Sequence, residues 1–191
     1  ITLTCLSHPA QATSQVTALE TRAQQAVLID LSTNTVLLEK NADQAMYPSS
    51  MSKLMTAYVA FKRLREGSLH WDDKLTVSER AWRTGGSKMF VGLNDRISVR
   101  DLVQGIITQS GNDACITLAE GLAGTEESYV ALMNEAASDM GLTHSHFNNT
   151  TGLPDARHYT TARDLSVIAG RILKDFPDFY PLYSVRSFTY N

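Results

Sequence analysis

Apolar residues recur at helical spacing through most of this chain, and that period limits the fold more than any other feature of the sequence. From Pro48 to Gly67, Met51, Leu54, Met55, Tyr58, Phe61 and Leu64 follow the rhythm of one buried helix face. Ser98 and Asp101 have the form of a capping box ahead of Leu102, Val103, Ile106 and Ile107. Asp113 to Gly121 reads as a further short helix. Thr125 caps another, with Tyr129, Leu132, Met133, Ala136 and Met140 on one stripe and Gly141 at its end. Thr161 and Asp164 open the last, through Leu165, Ile168, Ala169, Ile172 and Leu173. Strands are predicted only near the ends. Ala26–Leu31 and Thr35–Leu38 flank the polar turn Ser32-Thr33-Asn34, and Tyr183–Tyr190 is rich in β-formers. Three strands make a small sheet for such a chain, so the sequence is expected to be cut at its C-terminus.

Composition removes several function classes. With 191 residues, 43% hydrophobic and 19% charged, the chain can bury a core and is not a disordered one. Lys and Arg total 17 against 20 for Asp and Glu, a formal charge of −3 that argues against nucleic acid and offers no basic patch to an anionic membrane. No apolar run reaches the length of about 18 residues that a spanning helix needs. Cys5 and Cys115 cannot build a disulfide framework or a four-cysteine zinc site, and the histidines, His144 and His146 included, show no ligand spacing. Neither a metal nor an organic cofactor is expected. Ile1–Leu6 reads as the end of an apolar export signal, and Ala10-Gln11-Ala12 has the form of its cleavage site. Residues 1–12 are therefore expected to be a signal-peptide remnant, leaving Cys115 as a small core residue.

The sharpest chemical signal is Ser50-Met51-Ser52-Lys53 at the start of the first long helix. A serine and a lysine three apart share a helix face, with Cβ atoms roughly 5–6 Å apart. A serine hydroxyl needs a neighbour to take its proton, and a lysine can do so once burial or a second nearby cation has lowered its pKa. The helix N-terminus adds partial positive charge beside Ser50, which favours a developing oxyanion. Ordinary capping by Ser49 or Ser50 with a solvated lysine fits the same letters. Ser110-Gly111-Asn112 breaks two apolar helices and can present a hydroxyl and an amide to one cleft. Interhelical turns use these residue types anyway, and Ser32-Thr33-Asn34 has the same spacing in a plain hairpin turn.

Together, Ser50-x-x-Lys53 and Ser110-x-Asn112 resemble the motifs of the penicillin-recognising serine enzymes. More narrowly the chain resembles the low-molecular-mass penicillin-binding proteins, serine-type D-alanyl-D-alanine carboxypeptidases. Tyr47–Thr56, Ala81–Phe90, Gln109–Ala114, His146–Pro154 and Tyr159–Leu165 carry that resemblance. It implies a β-lactamase/transpeptidase-like (DD-peptidase) fold, α/β with an inserted all-α subdomain. On that reading residues 13–66 and 148–191 form the α/β part and residues 67–147 the helical part, with the C-terminal strands missing from this chain. It also implies that Ser50 is the acylated nucleophile, Lys53 its base, Ser110 the proton relay and Asn112 a substrate-binding amide. The implied partners are peptidoglycan pentapeptides and β-lactams. The implied location is the bacterial periplasm or the outer face of the cytoplasmic membrane, with peripheral membrane association through a further C-terminal segment.

Two departures stand out. No Lys-Thr-Gly follows Ser110, and Arg83-Thr84-Gly85 lies upstream in a different family segment, so the sequence is expected to stop before the third motif. Some relatives carry a histidine where this chain has Thr151, so no role in deacylation carries over to that position. A serine β-lactamase is the nearest enzyme alternative, but no Glu-x-x-x-Asn follows Ser110 and the second motif is Ser-Gly-Asn, not Ser-Asp-Asn. A DD-endopeptidase would use the same residues. A catalytically inert wall-peptide-binding scaffold is the alternative from another class.

Overall fold

A computed structural model describes residues 20–190. The expected signal remnant and Cys5 lie outside the described residues. Strands β1 (Ala26–Asp30) and β2 (Thr35–Lys40) form an antiparallel hairpin whose register shifts between Leu28 and Ile29. Its turn is set by Asp30, whose Oδ1 accepts from the Ser32 backbone N–H at 2.8 Å, and by Asn34 at φ 56°. A single 3₁₀ turn, Ser49–Ser52, then leads directly into α1, Lys53–Arg65.

Helix α1 is the centre of the molecule. Met55, Ala57, Val59, Ala60 and Phe61 on it are buried. The helices that enclose it are α3 (Val99–Gln109), α5 (Glu126–Asp139) and α6 (Ala162–Asp175), while α4 (Asn112–Ala123) packs between α3 and α5. Three of these begin where the sequence places their caps. Ser98 accepts from the Asp101 N–H, Thr125 from that of Ser128, and Thr161 from that of Asp164. Each cap satisfies one of the unpaired donors of a helix start. Tyr129 of α5 closes the core by donating its hydroxyl hydrogen to the Thr56 carbonyl at 2.8 Å.

Two parts of the sequence reading need correction. The stretch between α1 and α3, expected to be mostly helical, contains a second hairpin, β3 (Lys74–Thr76) with β4 (Arg96–Ser98), around the short helix α2 (Glu79–Arg83). Its strands are three residues long, too short for alternation to show. The segment Tyr183–Tyr190, expected as a strand, is a 3₁₀ turn over Tyr180–Ser184 followed by unpaired chain. No strand among the described residues pairs with it. It lies along α3, where the Gln109 side-chain amide donates to the Phe188 carbonyl at 2.8 Å, and it reaches α1, where Phe61 meets the Tyr183 ring edge-on. β-propensity becomes a strand only where a ladder partner is offered.

Candidate active site

The Ser50 segment is held in place by its own backbone. Pro48 is buried, and the Met51 N–H returns to its carbonyl at 3.1 Å, so Ser49–Ser52 coils tightly and α1 starts at Lys53. That places Ser50 and Lys53 on one face. Ser50 is exposed, whereas Lys53 is only 6% exposed.

The Lys53 ammonium points into a ring of neutral oxygens. Nζ donates to the Thr151 carbonyl at 2.6 Å and to Asn112 Oδ1 at 2.8 Å, and it lies 3.3 Å from Ser50 Oγ. No carboxylate takes part in this ring, so burial acts almost unopposed and holds the Lys53 pKa below its ordinary value. The Cys115 thiol pulls weakly the other way, but burial pushes that thiol up to about 12, so it is uncharged at neutral pH. A neutral amine has two hydrogens and one lone pair. The two short contacts consume the hydrogens, which leaves the lone pair for the longest one, toward Ser50 Oγ–H. The geometry therefore suits a general base whose proton acceptor faces a serine.

Asn112 is fixed at both ends of its amide, with Oδ1 taking Lys53 and Nδ2 donating to the Gly85 carbonyl at 2.8 Å. Its own backbone N–H bonds to the Ser87 carbonyl at 2.8 Å. The chain thus leaves α2 after Arg83 and turns through Thr84 into a loop whose Gly85 carbonyl seats Asn112. Ser110 ends α3 in the left-handed region at φ 56°. Its Oγ is buried and has no hydrogen-bond partner among the described residues. It lines a cleft of about 310 Å³ with Ser50, Lys53, Leu54, Ile107 and Tyr183. A buried, unpartnered hydroxyl in the wall of a cleft that also holds Ser50 and Lys53 is where an incoming polar group would bind.

The structure therefore brings Ser50, Lys53 and Asn112 into direct contact and sets Ser110 across the same cleft. Sequence reading missed the segment that closes the ring. Thr151 supplies only a carbonyl, a group every residue carries, and Tyr183 enters the cleft from the chain end. The turn bearing Thr151 is tied down by Glu126, whose Oε1 accepts from the Thr150 N–H and hydroxyl at 2.9 and 2.8 Å while Arg80 pairs with its other oxygen.

The family described as D-alanyl-D-alanine carboxypeptidase matches residues 10–191 of this chain. The chain belongs to that family. D-alanyl-D-alanine carboxypeptidase DacA of Haemophilus influenzae is 40% identical over 179 residues, covering 92% of this chain and 46% of the relative. The crystal structure of penicillin-binding protein 5 from Haemophilus influenzae superposes with a TM-score of 0.89 at 40% identity, over 92% of this chain and 52% of that one. Penicillin-binding protein D2 of Listeria monocytogenes, in its ampicillin-bound form, is similar at a TM-score of 0.77 and 29% identity, over 87% of this chain and 68% of that one. The DD-peptidase fold expected from the motifs is the fold of these neighbours. This member of the carboxypeptidase family spans about half the length of the curated relatives it matches. Among the described residues no helix is long and apolar enough to cross a membrane.

Proposed function

We propose that the protein is a serine D-alanyl-D-alanine carboxypeptidase that removes the terminal D-alanine of peptidoglycan stem peptides through an acyl-enzyme on Ser50. The observation that carries this reading is the Lys53 ammonium buried among neutral acceptors, 3.3 Å from Ser50 Oγ. Neutral Lys53 takes the Ser50 proton as Oγ attacks the carbonyl between the two D-alanines. The developing oxyanion lies over the N-terminal end of α1, where partial positive charge and the Ser50 backbone N–H favour it. Ser110 passes its proton to the departing D-alanine nitrogen and takes in its place the one Lys53 received from Ser50, and water then hydrolyses the ester. The second hydrogen of the Asn112 amide is directed to the substrate backbone. β-Lactams present the same acyl unit and acylate Ser50, in keeping with the ampicillin-bound relative. Such work on cell-wall peptides belongs outside the cytoplasmic membrane of a bacterium. The division into residues 13–66 with 148–191 and residues 67–147 is part of the same reading, with the cleft at the junction.

The test is release of free D-alanine from a synthetic pentapeptide ending in D-Ala-D-Ala. The intact protein is expected to release it, and Ser50→Ala is expected to release none. D-Alanine release that persists in Ser50→Ala would overturn the assignment.

A further inference from the structure

His158 is a buried titratable group that the chemistry above does not use. It is 1% exposed, yet both ring nitrogens are engaged. Nδ1 accepts from the Asn148 backbone N–H at 3.3 Å, and Nε2 lies 2.7 Å from Ser52 Oγ. A nitrogen that accepts from a backbone N–H carries no hydrogen itself, so the ring is the neutral tautomer with its hydrogen on Nε2. Nε2–H therefore donates to Ser52 Oγ, and Ser52 passes its own hydrogen to the Ser49 carbonyl at 2.9 Å. Burial also holds the His158 pKa below the ordinary histidine value, with His146 acting in the same direction and Asp155 opposing.

The Ser49 carbonyl belongs to the peptide whose N–H is that of Ser50. Ser49 sits at φ 49°, a left-handed conformation that serine adopts only when its surroundings hold it there. On its other side lies Gly152, at φ 83°, where any Cβ would overlap the Ser49 carbonyl. Gly152 ends the turn that begins at Asn148 and presents the Thr151 carbonyl to Lys53. One imidazole thus holds the first residue of that turn with Nδ1 and, through Ser52, the nucleophile's own peptide with Nε2.

We propose that His158 is a positioning residue: through Ser52 it locks the Ser49–Ser50 peptide against the 148–152 turn and so aims the Ser50 N–H and Oγ at the reacting carbonyl. The inference rests on the acyl-enzyme reading of Ser50. It touches neither substrate nor base, so its effect falls on the covalent step and not on ligand affinity.

The experiment measures benzylpenicillin acylation of the intact protein under saturating conditions, beside its thermal midpoint. Ser52→Ala and His158→Leu are expected to lower the limiting acylation rate about 100-fold, the scale of an ångström-level misplacement, with noncovalent affinity unchanged. His158→Gln and Ser52→Thr keep a donor and an acceptor in place and are expected to restore most of that rate. If His158→Leu does not fold, Ser52→Ala decides. Wild-type acylation in Ser52→Ala overturns the inference, and so does equal loss in the Gln and Leu variants. A wild-type protein that takes no adduct would instead remove the Ser50 reading, and the Ser50 amide resonance then tests the lock by itself. That resonance is expected to follow the titration of His158 in the wild type and to lose that dependence in Ser52→Ala. A Ser50 amide indifferent to His158 in the wild type overturns the inference whatever the protein does to penicillin.

Discussion

At the scale of single residues the account turns on Lys53. Its pKa is depressed by burial, so the neutral amine proposed to accept the Ser50 proton gains population as pH rises. Acylation by benzylpenicillin is expected to climb through the depressed value and then level, and a flat profile from about pH 6 to pH 10 would contradict the assignment. The same shift bears on stability. Between the folded value and the ordinary one the unfolded chain binds the extra proton, so stability rises with pH across that window. Lys53→Met is expected to remove that slope and to lower acylation by about 10³-fold, within the range of a lost general base. Lys53→Arg should not rescue it, because a guanidinium stays protonated. Gly152→Ala forces a side chain into the Ser49 carbonyl, so the 148–152 turn must shift, and it is expected to slow acylation about 100-fold in stopped-flow measurements.

At the scale of elements, the second motif depends on a carboxylate that is not part of it. Asp113, in the first turn of α4, accepts from the backbone N–H groups of Met89, Phe90 and Ala114 at 2.9 Å and of Val91 at 3.3 Å. It is 1% exposed and joins the loop after α2 to the Ser110–Asn112 turn. Asp113→Ala strands these donors, and it is expected to cost at least about 3 kcal/mol in urea unfolding, the upper worth of a single hydrogen bond to a charged acceptor. An unchanged urea midpoint would show that the loop anchors elsewhere. The long helices were legible because their periodicity and caps are local: Ser98, Thr125 and Thr161 each sit where the structure places them. Ser50 and Lys53 were legible by spacing, and Ser110 with Asn112 by resemblance. The Thr151 carbonyl, Gly152 and His158 were not, because their contacts with residues 49–53 cross about 100 residues of chain. The β3–β4 hairpin escaped for want of length. The chain end misled because β-formers there pack against α1 through Tyr183 and bond to α3 through the Phe188 carbonyl, and no strand among the described residues pairs with them.

Across the whole molecule, one core built on α1 carries both motifs, so the site should survive as long as the core does. Cys115 reports on that core. It is fully buried and its thiol is pushed up to about 12, so it is expected to resist maleimide in the native protein and to label only on global unfolding. Rapid native labelling of Cys115, located by peptide mass, would contradict a single cooperative core. The central claim is that this architecture makes Ser50 a nucleophile, and intact mass after incubation with benzylpenicillin addresses it most directly. The account predicts one penicilloyl adduct, mapped to Ser50 and absent from Ser50→Ala. An adduct retained by a folded Ser50→Ala protein, or none on the folded wild type, would contradict it.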